Sequence, residues 1–83
     1  MDAYVLVQTQ IGRTRDVAWQ IGDVDGVEYV DQITGPYDVL ARVHGNDLVS
    51  LHSTVLTRIQ AIDGVTRSMA CPITSGWELA ATS

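Results

Sequence analysis

The residues best equipped for small-molecule chemistry are Ile33-Thr34-Gly35-Pro36-Tyr37-Asp38. The Gly-Pro pair marks a tight turn. Asp38 stands at the entrance to an apolar alternation, Val39-Ala41-Val43, where aspartate is disfavoured. A carboxylate beside the open backbone of Gly35 and the amphipathic ring of Tyr37 could hold an α-ammonium group. Backbone N–H groups of the same turn could take an α-carboxylate. Both are ordinary parts for recognising a small zwitterion. A short hairpin also needs Gly and Pro for shape alone, so a purely structural turn explains the same residues.

The other reactive side chains are less organised. His44 and His52 fall at a strand end and on a helix, with Asp47 and Ser53 as the nearest partners. Nothing in their spacing builds a catalytic triad, so no catalytic residues are expected. A metal centre needs several His, Cys or carboxylate ligands at defined spacing, and Cys71 is the sole cysteine. No metal and no cofactor is expected. Asp23-Val24-Asp25-Gly26 shares the start of a calcium loop but lacks its later ligands. It reads as a helix-to-strand turn. Cys71, in a strand before Pro72, reads as a buried, inert thiol.

These residues have to be positioned by a small set of elements. Ala3 to Thr9 is β-branched and apolar on both faces, as in a central strand. Val17, Ala18, Ile21 and Val24 form a helical stripe, with Thr14 as N-cap and Trp19 on the opposite side. Val27 to Ile33 is a second strand, placing Val27, Tyr29, Asp31 and Ile33 on one face. Asp38 to His44 is a third, joined to the second by the Thr34–Tyr37 turn as an antiparallel hairpin. A second helix starts at Asn46 as N-cap and buries Leu48, Leu51, Val55, Ile59 and Ile62. Val65 to Ile73 is a fourth strand. Val24-Asp25-Gly26-Val27 recurs as Ile62-Asp63-Gly64-Val65, and Val17 and Ile21 recur as Val55 and Ile59. In each copy a helix ends, a glycine takes positive φ, and a valine enters a strand.

The expected fold is α+β: a ferredoxin-like α/β plait (βαββαβ), a four-stranded antiparallel sheet with two helices on one face. The domain spans residues 1–73, followed by a tail over 74–83 carrying Trp77. Helices cover only one sheet face. The first strand is apolar on both, so the bare face is expected to pack on a second copy.

Composition narrows the function classes. The chain has 83 residues, 46% hydrophobic and 18% charged, with a net charge of −5. All five bases are arginine. That is too apolar for disorder and too acidic for direct nucleic-acid binding through clustered cations. No run approaches the roughly 18–20 apolar residues of a membrane span, and the N-terminus has no basic segment of a leader. The expectation is a cytoplasmic protein with no membrane partner.

The pattern Gly26-Val27, Ile33-Thr34-Gly35, Tyr37-Asp38, Leu40 and Val43, then Ile62, Gly64-Val65 and Arg67-Ser68, resembles the effector-binding (RAM) domain of the Lrp/AsnC feast/famine regulators. The resemblance covers about Tyr4 to Ile73, and Thr-Gly-x-Tyr-Asp is its most specific part. It implies a regulatory domain and no enzyme. Dimers would form sheet to sheet and assemble into octamer-like rings. An amino acid or similar metabolite would bind between dimers at Thr34, Gly35, Pro36, Tyr37, Asp38 and Ser68. Ala70 replaces a second hydroxyl usual in the family. Most members carry an N-terminal helix-turn-helix domain, whereas this chain starts at the first strand. A stand-alone RAM protein is therefore expected, acting through full-length Lrp/AsnC relatives. Two alternatives stay open: a dimeric ferredoxin-like enzyme of the small monooxygenase or isomerase type using His44 or His52, and a purely structural oligomerisation module. An amino-acid-binding ACT domain ranks lower, because it lacks the turn motif.

Overall fold

The computed structural model describes residues 1–74. The elements run β1 (Asp2–Thr9), α1 (Thr14–Gly22), β2 (Val27–Gln32), β3 (Val39–His44), a second helix α2 over residues 48–60, and β4 (Val65–Pro72). The four strands form one antiparallel sheet in the order β2-β3-β1-β4. The expected βαββαβ plait is thus the observed fold, with β1 and β3 central and β2 and β4 at the edges. Trp77 and the tail from residue 75 onward lie outside the described residues.

The period-2 alternation of the central strands decides the layering. Ala3, Val5 and Val7 of β1 and Val39, Ala41 and Val43 of β3 are fully buried. They meet Val17, Ala18 and Ile21 of α1 and Leu51, Val55, Leu56 and Ile59 of α2 in one core. Among the described residues that core contains no buried polar group. Among the described residues the opposite face of the sheet carries no helix. There Tyr4 and Leu6 are half-buried, while Tyr29 and Met69 are each 43% exposed. Register places Leu6 between Leu40 and Met69 on its neighbouring strands.

Five local readings are corrected. The first concerns α1, which begins after Arg13 without a side-chain cap. The Thr14 hydroxyl instead meets the Thr9 hydroxyl at 2.7 Å. Trp19 does lie away from the core, 78% exposed.

The cap of α2 is Asp47 rather than Asn46. The Ser50 N–H donates to Asp47 Oδ1 at 2.7 Å, the ordinary cap contact shifted by one residue.

The body of α2 is not uniformly α-helical. It is α at Leu48–Ser50, π at Leu51–Leu56 and α again at Thr57–Gln60. A π turn closes i→i+5, so Leu51 and Leu56 share the buried side. Leu48, expected in the core, is left 54% exposed.

In β2 the register shifts between Val27 and Tyr29. This bulge turns Val27 toward the core, opposite Val43, while Tyr29 and Asp31 join the bare face opposite Arg42 and Leu40. The four residues expected on one face are therefore split.

Cys71 is half-buried rather than buried. It pairs with Tyr4.

The internal repeat has a packing meaning. Gly26 (φ +96°) and Gly64 (φ +102°) both adopt the left-handed conformation. A Cβ on Gly26 would lie 2.8 Å from Val55 Cγ2, and one on Gly64 would lie 2.9 Å from Val17 Cγ2. Val17 and Val55 are the matching residues of the two repeats. Each glycine therefore receives the valine of the other half's helix. The backbone repeats the exchange: His44 N–H donates to Gly26 O at 2.7 Å, and Gln10 N–H donates to Gly64 O at 2.8 Å.

Candidate functional site

The end of β1, the start of α1 and the β2–β3 hairpin converge at one end of the sheet. The hairpin closes through Ile33 N–H to Asp38 O, and it is tied to β1 by Asp38 N–H to Val7 O, both at 2.9 Å. Gln8 Nε2 donates to Pro36 O at 3.2 Å. Asp38 stands just before β3 rather than within it, which removes the propensity conflict. Its carboxylate is built into the frame: Oδ2 accepts the Thr9 N–H at 2.8 Å and the Thr9 hydroxyl at 3.2 Å. Thr14, Gln32, Ile33, Thr34 and Asp38 line an open cleft here.

The structure brings five of the six expected site residues together. Thr34, Gly35 and Pro36 are exposed at the turn, and Tyr37 and Asp38 are half-buried beside it. Gly35 sits at φ +141°, with nothing within 4 Å of where a Cβ would stand. Its backbone is open to approach. Ser68 is elsewhere. It pairs with Val7 on edge strand β4, accepts from Gln60 Nε2 at 3.1 Å, and lines a separate depression with Gln60, Val65, Thr66 and Arg67. Within one chain it does not reach the hairpin cleft. Sequence reasoning missed Thr9 and took Thr14 for a helix cap. The available signal was an aspartate at a strand entrance, which must find donors on a neighbouring strand. Which strand and which residue depend on register.

A second polar group occupies the bare sheet face. Arg42 Nη2 donates to Asp2 Oδ2 at 2.7 Å, and His44 Nδ1 lies 2.6 Å from Asp2 Oδ1. Arg42 also donates to the Tyr4 hydroxyl at 3.3 Å and approaches Glu28 at 3.7 Å. The hydrogen bonds from His44, then from Arg42, hold the Asp2 carboxyl below its ordinary value. The Asp2 contact, then Tyr4, raises Arg42, and the hydrogen bond with Tyr4 raises the Tyr29 phenol. Asp2, Glu28 and His44 could offer three ligand atoms within 4.8 Å of one another, but the Arg42 guanidinium already supplies the positive charge between the two carboxylates.

Because the folded value of Asp2 is depressed, its contribution is present above the unfolded value, 3.8. It is lost as pH falls through the lower folded value. Asp2→Asn is accordingly expected to melt slightly below the wild type at pH 7, with the gap closing as pH falls below 3.8 and through the lower folded value. Thermal melts of both proteins from acid to neutral pH check this. A gap that persists unchanged in acid would contradict it.

The two histidines are on the surface. His44 is 55% exposed in its side chain and borders a shallow groove with Gly26, Asn46 and Ser50. His52 is exposed on the π segment. Among the described residues no helix is long and apolar enough to cross a membrane.

Along nearly its whole length the chain matches a class of ligand-binding domain. Residues 2–75 match the Lrp/AsnC ligand binding domain, and the chain belongs to that family. Among particular relatives, it is 35% identical over 77 residues to the HTH-type transcriptional regulator LysM of Saccharolobus solfataricus. That match covers 90% of this chain and 53% of LysM, so the chain spans about half the length of this curated relative. In structure it resembles TTHA0845 from Thermus thermophilus, with a TM-score of 0.81 and 29% identity over 88% of this chain and 91% of that one. It also shares its fold with the regulator NMB0573 of Neisseria meningitidis, solved as an L-Met complex. There the TM-score is 0.78 and the identity 18%, over 90% of this chain and 50% of that one.

Proposed function

We propose that this chain is an amino-acid-sensing and assembly module of the Lrp/AsnC type. Its effector would bind at Thr34–Asp38 and shift the association of sheet-to-sheet dimers into larger rings, or with full-length regulators of the family. The observation that carries the reading is the cleft in which the family's turn motif places Asp38 and Thr34 beside the open backbone of Gly35. A carboxylate and an open turn backbone suit the ammonium and carboxylate of an amino acid. The distance of Ser68 from this cleft fits a site completed by a second copy, as expected for binding between dimers. Differential affinity for assembled and dispersed states then converts effector binding into assembly.

Native mass spectrometry with the twenty amino acids, L-methionine among them, tests this. One or more is expected to bind at millimolar concentration and to change the distribution of oligomers. Asp38→Ala is expected to weaken binding at least tenfold, on the scale of a lost charge-assisted hydrogen bond, while leaving the dimer intact. A full panel without mass shift or change in assembly would refute the sensing role. The enzyme reading needs a histidine in a sizeable cavity within one protomer, and the exposure of both imidazoles favours the regulatory reading over it.

A further inference from the structure

We propose that the outer face of α1 is a second self-association surface, which takes another copy of this chain helix to helix across a two-fold axis at Trp19. This goes beyond the sensing role. Helix α1 packs on the sheet face opposite the bare one, so both contacts fit one copy at once. A groove of about 510 Å³ runs between α1 and edge strand β2. Arg15, Ala18, Trp19, Gly22 and Asp23 line it from the helix, and Val30 and Gln32 from the strand. Trp19 projects from its middle into solvent. Gly22 keeps the groove open beside the indole, because a Cβ there would still stand 4.0 Å from Val30 Cγ2. Tryptophan and arginine are the residues that most often anchor the centre of a protein contact.

Charge complementarity selects a second copy as the occupant. Arg15 stands four residues before Trp19 and Asp23 four after it. Steps of four keep all three on one ridge of the helix, with each charge about 6 Å along the axis from the indole. Turning a second copy end for end about Trp19 therefore sets Arg15 of each against Asp23 of the other. Among the described residues neither charge has an ion-pair partner within its own chain. Both also stand at the wrong end of their own helix. Arg15 is in the first turn, where the amides are partly positive, and Asp23 is the C-cap, among the partly negative carbonyls. Asp16 offsets only the first of these, and no base lies in the last turn. An antiparallel neighbour reverses both signs: Arg15 comes beside the C-terminal carbonyls of the other α1, and Asp23 beside its N-terminal amides. Charges that oppose the helix in one copy and support it in two make this surface self-complementary.

Analytical ultracentrifugation of the full chain, without amino acids, tests this in the wild type and in Leu6→Arg, which removes the bare-face contact. Leu6→Arg is expected to keep a concentration-dependent step from one copy to two, and the wild type a step beyond two. Trp19→Ala is expected to abolish that step in both, with the melting temperature of the dilute protein within about 3 °C of its parent. Arg15→Asp and Asp23→Arg are each expected to weaken it roughly tenfold or more. Each also corrects a charge on its own helix, so the dilute protein should melt no lower than its parent. Loss of assembly without loss of stability separates a contact from a folding defect. Arg15→Asp combined with Asp23→Arg restores opposite charges across the axis and is expected to recover part of what either change loses. Self-association that ends at the bare-face contact, that is unmoved by Trp19→Ala, or that is no stronger in the combined variant than in the single ones would each overturn the inference. None of these results depends on an effector, so the sensing role stands or falls separately.

Discussion

Gly26→Ala is expected to lower stability by about 2–4 kcal/mol, a fall in melting temperature of roughly 10–25 °C for a domain of this size. Two costs coincide. The residue sits at φ +96°, where an L side chain is strained. The added Cβ would also stand 2.8 Å from both the His44 carbonyl oxygen and Val55 Cγ2. The backbone cannot easily retreat, because Gly26 O accepts the His44 N–H at 2.7 Å. Two companion variants separate these costs. At Gly64 the near neighbours are side-chain atoms, Val17 Cγ2 at 2.9 Å and Arg13 Cβ at 3.3 Å, which can yield a little. At Gly12 (φ +82°) nothing lies within 4 Å, leaving only the backbone strain of about 1 kcal/mol. The expected order of damage is Gly26, Gly64, Gly12, read from denaturant or thermal unfolding. Equal losses at Gly26 and Gly12 would show that the close approach contributes nothing.

Leu6→Arg is expected to dissociate the proposed dimer while leaving the protomer folded. Leu6 is half-buried at the middle of the bare face, between Leu40 and Met69. Its side chain is on the face opposite the core, so a longer polar residue can reach water in a single copy. In a sheet-to-sheet dimer the same position lies at the centre of the contact, where an unpaired charge is expensive. The dissociation constant is expected to rise at least a hundredfold, about 2.7 kcal/mol. Analytical ultracentrifugation reads this directly. The melting temperature supplies a second measure: it should rise with protein concentration in the wild type and lose that dependence in the variant. A wild type that stays monomeric at high micromolar concentration would remove the sheet-to-sheet dimer.

Much of this was legible from the chain alone, and the parts that were not share a cause. The strands show because Ala3-Val5-Val7 and Val39-Ala41-Val43 alternate with less apolar residues, and a one-residue slip would bury the wrong set. The helix exits show because Gly26 and Gly64 follow apolar stripes. The hairpin shows because Gly35-Pro36 interrupts two such runs. Illegible were features set by neighbours distant in sequence. The bulge near Glu28 depends on how β2 meets β3. The π turn in α2 brings in Leu56 and releases Leu48 according to what the sheet presents beneath. At the candidate site the turn residues were visible as a motif, but their attachment was not. Asp38 is held by Thr9 because β1 lies beside β3, and register of that kind is not written in either segment. The cap of α2 is ambiguous in the sequence for a smaller reason: Asn46 and Asp47 can both cap, and only the helix start decides between them.

The exchanged glycine–valine contacts bear on how the chain folds. Each half, a strand, a helix and a strand, hands its helix valine to a notch in the other half. Neither half owns a complete core. The first half lacks the surface that seats α1, because Gly64 lies in the second, and the second half lacks Gly26. Partial folding of either βαβ half is thus left without its closing contacts, and the landscape favours a single all-or-none transition. The only covalent link between the interlocked halves is the Thr34–Tyr37 turn, so the segment proposed to read the effector is also the tether across which that cooperative closure is made.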